Sequence, residues 1–207
     1  MTITEIRTTK RGRISVYVDG EYLFAVEEES WQMCSLRTGD EVDEQQLNDL
    51  LADSNRIKAK RRALNMLSSR DYTSGVLKER LAAKTDARSA EQAVERMQEL
   101  GLVDDARYAE RFAQELAEIK LFGRRRIKLE LQKRRIPADI IQDVMEQLDA
   151  DEEAERALKL LRKKFGRIEG ENAVKKAFSL LERSGYGYHD IRAALREMGS
   201  ETDEDLF

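Results

Sequence analysis

This chain of 207 residues contains one cysteine, one histidine, one proline and one tryptophan. With Cys34 alone, no disulfide forms within the chain, and a reducing compartment is the natural setting. His189 and Cys34 cannot between them supply a zinc site or a Cys–His nucleophile pair. No Gly-x-x-x-x-Gly-Lys-Ser/Thr phosphate loop occurs, and no Gly-x-Gly-x-x-Gly follows a strand. No apolar run approaches the ~20 residues of a membrane helix, and residues 1–6 lack the apolar core of a signal peptide. These absences predict a cytoplasmic protein with no enzyme activity, no cofactor, no metal and no membrane contact. Aromatics are only 6 % and charged residues 38 %, the composition of long solvent-washed helices. The apolar 41 % suffices for a folded core.

What is present is a phrase that occurs three times. With Tyr72, Phe122 and Tyr186 as position zero, Leu77, Ile127 and Ile191 stand five residues later, and Leu81, Leu131 and Leu195 four after those. Ala63, Ala113 and Ala177 stand nine residues before the aromatic, and Ala59, Ala109 and Ala173 thirteen before it. A small residue follows each aromatic (Thr73, Gly123, Gly187), and a basic one comes at position six (Lys78, Lys128, Arg192). One such unit cannot bury its own face, so neighbours must stack. The expected fold is mainly α, a short curved solenoid of tandem three-helix repeats. A long surface of this kind favours a long partner over a small substrate.

The first 55 residues differ. Ile14, Val16 and Val18 alternate with polar or smaller residues up to Asp19-Gly20, and Tyr22–Val26 follow, which reads as a hairpin with a type I′ turn. Residues 3–7 are a candidate third strand. Residues 28–35 and 43–52 read as short helices joined by a Gly39-Asp40 turn. The expected divisions are a β-hairpin module over 1–55, repeats over 56–103, 104–150 and 151–199, and an acidic tail over 200–207. In repeat one, helices are expected over 56–69, from Tyr72 with Thr73 or Ser74 as cap, and from a Ser89/Gln92 capping box to Gly101. In repeat two, Asp104 or Asp105 caps a helix to about 119, Gly123 opens another to about 134, and Pro137 sits in the first turn of a third. Repeat three has an extra helix over about 151–165, then helices over 171–184 and 188–198.

Net charge is −4, but it is unevenly spread. Residues 120–135 hold eight Lys or Arg against Glu130, while 149–155 hold five acids and 200–207 four. Candidate phosphate- and partner-binding residues are Arg124, Arg125, Arg126, Lys128, Lys133, Arg134 and Arg135. The repeat positions add Lys78 and Arg192, and Arg196 lies beside Arg192 and Tyr188. At 100° per residue, Arg124, Lys128 and Arg135 form a stripe beside Ile127 and Leu131, with Arg126 and Lys133 roughly opposite. Like charges this close repel, and an external polyanion reverses the sign of that effect. A solvated face partly neutralised by the 149–155 acids is the competing reading. No base-reading geometry is evident, so binding to single- or double-stranded DNA is expected to be sequence-independent. Asp104-Asp105 reads as a cap and macrodipole partner before it reads as a metal or acid–base pair. Tyr72, Phe122 and Tyr186 read as packing residues before base-stacking platforms, while Tyr188 and Trp31 stay open as surface contacts.

Several phrases resemble the RecX family of bacterial regulators. These are Leu67-Ser68-Ser69-Arg70-Asp71-Tyr72 with Leu77 and Leu81, Glu99-Leu100-Gly101-Leu102-Val103-Asp104, Asp104-Asp105-Ala106-Arg107-Tyr108-Ala109, and Gly123-Arg124-Arg125-Arg126-Ile127-Lys128-Leu129-Glu130-Leu131. The likeness spans about residues 56–198, and the hairpin resembles an extension carried by some members. Arg135-Ile136 departs from the family's usual Gly-Ile. The resemblance implies a monomeric, non-enzymatic modulator that binds the RecA filament along its groove on DNA. It would restrain RecA's ATPase, strand exchange and LexA co-cleavage, and so DNA repair, recombination and the SOS response. Two other classes stay open. One is a helical-repeat adaptor that docks an acidic protein without nucleic acid; the other is a helix-turn-helix factor reading DNA with 124–135.

Overall fold

The computed structural model describes residues 1–148 and 152–199. The expected acidic segment 149–155 is thus described only from Glu152 onward, and the tail 200–207 lies outside the described residues. The chain divides into two compact units, Met1–Val103 and Asp104–Phe207. Both are built mainly of helix, and a three-stranded sheet opens the first. Among the described residues no helix is long and apolar enough to cross a membrane.

In the first unit, strands β1 (Ile3–Thr8), β2 (Arg13–Val18) and β3 (Glu21–Glu27) pair antiparallel in the order β1-β2-β3. Asp19 and Gly20 take φ of 50° and 88°, the paired positive angles of a type I′ turn. The period of two puts Ile14, Val16 and Val18 on one face, where they meet Ile3, Val26, Val42, Leu47 and Leu50. Trp31, on helix α1 (Glu28–Met33), packs partly buried against this core.

The next helix corrects the sequence reading. Instead of separate helices over 43–52 and 56–69, a single 24-residue helix α2 runs Glu44–Leu67. Asp43 and Gln46 form a capping box at its start, and no Gly or Pro follows to stop it. Leu47 and Leu50 enter the sheet core while Ala59 and Ala63 enter that of repeat one, so α2 serves two cores. Ser54 Oγ accepts the Glu27 N–H at 2.8 Å, and Arg61 pairs with Glu27 at 2.6 Å. The division expected at residue 55 therefore falls inside α2.

Thr73 caps α3 (Ser74–Ala82) by accepting the Val76 N–H at 3.3 Å. The expected Ser89/Gln92 box is displaced: Asp86 caps α4 (Ala87–Glu99), accepting the Ser89 N–H at 2.8 Å. Asp86 stands three residues earlier with the stronger acceptor, which leaves Ser89 buried in the first turn. Gly101, at φ 66°, closes α4 in the left-handed cap position.

The second unit contains α5 (Asp105–Gln114), continuing through a π turn at Glu115–Ile119, then α6 (Arg124–Lys133) and α7 (Ala138–Gln147). Helices α8 (Glu153–Lys164), α9 (Glu171–Arg183) and α10 (Tyr188–Glu197) follow. Asp104 is the cap of α5, accepting the Arg107 N–H at 2.9 Å. Pro137 stands just outside α7, at its cap position rather than in its first turn. The repeat register is the core register: Ala59, Ala63, Leu77 and Leu81, then Ala109, Ala113, Ile127 and Leu131, then Ala177, Ile191 and Leu195, are all buried. Repeat three differs in order. Its third helix, α8, precedes the repeat phrase instead of following it, and contributes Ala157 and Leu161 to the core beneath α9 and α10.

Candidate nucleic-acid interface

The basic helix α6 lacks a side-chain N-cap, because Gly123 holds that position. Its free first-turn donors must still be satisfied, and repeat three satisfies them. Gly123 N–H donates to the Ser184 carbonyl at 2.8 Å, and Arg125 N–H to the Gly185 carbonyl at 3.2 Å. Arg124 N–H donates to Glu153 Oε1 at 2.9 Å. Such approach requires glycine on both sides: a Cβ on Gly123 would lie 2.5 Å from the Gly185 carbonyl carbon, and one on Gly185 2.3 Å from Arg126 N.

Beside this contact Tyr186, 1 % exposed, donates from its hydroxyl to the Leu121 carbonyl at 2.9 Å. Leu121 takes a φ of 54°, uncommon for leucine, while its side chain enters the core of repeat three. The left-handed backbone costs about 1–2 kcal/mol. Burial of a leucine, worth about 1.5–3 kcal/mol, offsets it. Burial raises the Glu153 pKa, with nearby Asp190 adding to the effect; the Arg124 N–H, Arg156 and the Arg124 side chain act against it. Burial likewise pushes the Tyr186 hydroxyl well above its usual range.

The cations of the cluster divide by role. Arg124 is half-buried, and its guanidinium donates to the Leu148 and Met145 carbonyls at the end of α7. Arg126 and Lys133 both hold Glu130, each at 3.0 Å, and Arg126 also lies over the Phe122 ring at 5.6 Å. Arg134 donates to the Tyr108 hydroxyl at 2.7 Å and lies 4.7 Å over Phe112. Arg135 occupies the turn after α6 with φ 54°. That angle suits glycine, the residue the family pattern has there. Arg125 and Lys128 are exposed, and among the described residues neither has an ion-pair partner. On the helical wheel Gln132 lies between them; Arg125 points away from the buried Ile127 and Leu131, next to the 43 % exposed Leu129, while Lys128 stands at the edge of the buried stripe.

The stripe expected from Arg124, Lys128 and Arg135 is therefore split: Lys128 faces outward, Arg124 is tied to α7, and Arg135 shapes a turn. Of the remaining candidates, Lys78 lies in the other unit, paired with Glu91. Arg192 lies over the ring of the half-exposed Tyr188 at 5.7 Å, and Arg196 is exposed on the same helix. Tyr72 and Phe122 are partly buried against the cores of their repeats.

Two features were not anticipated. The bracing of α6 by Glu153 and Gly185 joins residues far apart in the chain, and only the glycine pair hinted at a close contact. A second run of cations, Arg56, Lys58, Lys60, Arg61 and Arg62, lies on α2 and was legible as five charges within seven residues.

Residues 1–43 match the family described as "Regulatory protein RecX N-terminal domain", and residues 104–145 match "RecX, second three-helix domain". Regulatory protein RecX of Clostridioides difficile (strain 630) is 30 % identical over 209 residues, covering 99 % of each chain. The chain belongs to the RecX family. RecX of Clostridium acetobutylicum is 31 % identical over 98 % of both chains. A crystal structure of regulatory protein RecX superposes with a TM-score of 0.61 at 25 % identity, covering 97 % of this chain and 99 % of that one. RecX from Lactobacillus salivarius gives the same TM-score of 0.61 at 22 % identity over 70 % of this chain and 97 % of its own, which bears on the fold alone. The family is that of a regulatory protein, and the α6 face lies largely inside the matched three-helix domain.

Proposed function

We propose that this protein binds the RecA filament on DNA and restrains its ATPase, strand exchange and SOS co-protease activities, with the outer face of α6 tracking phosphates. Membership of the RecX family supports the regulatory role. The observation that carries the site is the exposed pair Arg125 and Lys128, unpartnered among the described residues, on a helix whose first turn is locked to repeat three. Fixed cations without internal partners gain the full counterion-release term when phosphate replaces solvent ions. The apolar side of α6 is consumed by the core, so the cations present phosphate contacts and no base-edge reading array.

The test is RecA ATPase on single-stranded DNA with increasing amounts of this protein, at several salt concentrations. Arg125→Ala with Lys128→Ala removes two cations without touching the carbonyls that Arg124 caps. The double variant should inhibit more weakly, and its own DNA binding should lose about 0.7 of log–log salt slope per lost contact on single strands. Wild-type inhibition with an unchanged slope would move the functional surface elsewhere. Full inhibition by a protein that binds no DNA would favour the adaptor reading.

A further inference from the structure

On the first unit, α1, α2 and α4 enclose an open groove of ≈ 530 Å³. Ile57 and Leu64 of α2 line it with Met33 at the end of α1. Met33 is 69 % exposed and Leu64 40 %, so the groove holds apolar surface in water that the fold itself does not use. Its rim is cationic: Arg56, Lys60, Arg61 and Arg96 line it, against a single acid, Glu29. Arg56 rests on Asp53 at 3.0 Å within α2 and Arg96 on Glu99 at 2.7 Å within α4, each an exposed pair three residues apart. Such pairs are weak and exchange readily for a partner's carboxylates. Arg61 holds Glu27, which is nearly buried, and Lys60 has no ion-pair partner among the described residues. Residues 56–103 carry eleven Lys or Arg against six Asp or Glu, in a chain whose net charge is −4. The lining itself is therefore net positive, four cations to one acid, although the protein as a whole is acidic.

We propose that this groove docks an acidic amphipathic helix of a protein partner, at a surface distinct from the α6 face. Ile57 and Leu64 stand seven residues apart on α2, about 10 Å along its axis. That spacing matches aliphatic anchors at i, i+4 and i+7 on a helix laid into the groove, with carboxylates on its flanks meeting Lys60 and Arg96. A DNA backbone would use the cations but gain nothing from Met33, Ile57 and Leu64. The mixture of apolar lining and basic rim thus fits a protein segment better than a nucleic acid.

The experiment uses the full chain and a fluorescein-labelled synthetic helix with three leucines at that spacing in a Glu- and Ala-rich background, read by anisotropy. Met33→Ser with Leu64→Ser should weaken binding about tenfold or more, as should Lys60→Glu with Arg96→Glu. Lys60→Ala, which leaves the resolved ion pairs in place, should weaken it by a smaller factor. The Arg125→Ala and Lys128→Ala protein should bind the helix like wild type, so failure of this groove and failure of the α6 face read out separately. The proposal is overturned if the helix does not bind, or if its leucine-to-serine version binds equally well. It is also overturned if a random single-stranded oligonucleotide displaces the helix and itself loses affinity in the Lys60→Glu, Arg96→Glu variant, which would make this a nucleic-acid surface.

Discussion

Replacing three glycines singly by alanine separates backbone strain from steric clash at the base of α6. Gly101 closes α4 at φ 66° with nothing within 4 Å of an added Cβ, so Gly101→Ala meets only the left-handed penalty, about 1–2 kcal/mol. Gly123 has an ordinary φ of −75°, but its Cβ would stand 2.5 Å from the Gly185 carbonyl carbon and oxygen. Gly123→Ala therefore meets only overpacking, about 1–3 kcal/mol where backbone must give way. Gly185 combines both: φ is 90°, and its Cβ would stand 2.3 Å from Arg126 N and 2.4 Å from Arg126 Cβ. Its alanine variant should lose about 2–5 kcal/mol. In a chain of this size each kcal/mol moves the midpoint by about 2–4 °C, so thermal unfolding followed by circular dichroism resolves the order Gly185 > Gly123 and Gly101. If α6 tracks phosphates as proposed, Gly123→Ala should also weaken DNA binding, because the helix that carries Arg125 and Lys128 must shift. A Gly185→Ala variant no less stable than Gly101→Ala would refute the claim that repeat three braces α6.

Arg135→Gly should raise stability by about 0.5–1 kcal/mol in denaturant unfolding, since relief of left-handed strain at φ 54° outweighs the extra freedom of an unfolded glycine; a loss would mean that contacts of the arginine side chain dominate the turn. For Glu153 the folded pKa lies above the unfolded one, so the protonated form is favoured by folding. Its contribution to stability is then fully present below the unfolded pKa and is lost as pH rises from the usual carboxylate range through the raised folded value. Glu153→Gln keeps an oxygen for the Arg124 N–H and removes the ionisation. Relative to this variant, wild type should lose stability across that window, and a pH-independent difference would show that Glu153 titrates like a solvated acid.

The tandem register was legible because a helix core repeats at fixed spacing whatever surrounds it. Leu77, Ile127 and Ile191 sit at one position of the phrase, and each is buried. Local chemistry likewise determined the Asp19-Gly20 turn, the Thr73 and Asp104 caps and the left-handed Gly101, since each needs only its own few residues. Family membership was legible for the same reason, being a matter of ordered short phrases. The length of α2 was misjudged because a helix continues until something stops it, whereas the repeat phrase, which begins at Ala59, suggested a boundary just before it. Only tertiary structure decided which cations are available. Arg124 and Lys128 share a helical stripe in sequence, yet the α7 carbonyls take up the first and leave the second exposed. The brace on α6 was equally hidden, because Gly123 and Gly185 lie 62 positions apart and nothing local forces their backbones together. Periodicity reports which face of a helix is buried; which exposed charge remains free depends on what the rest of the chain brings beside it.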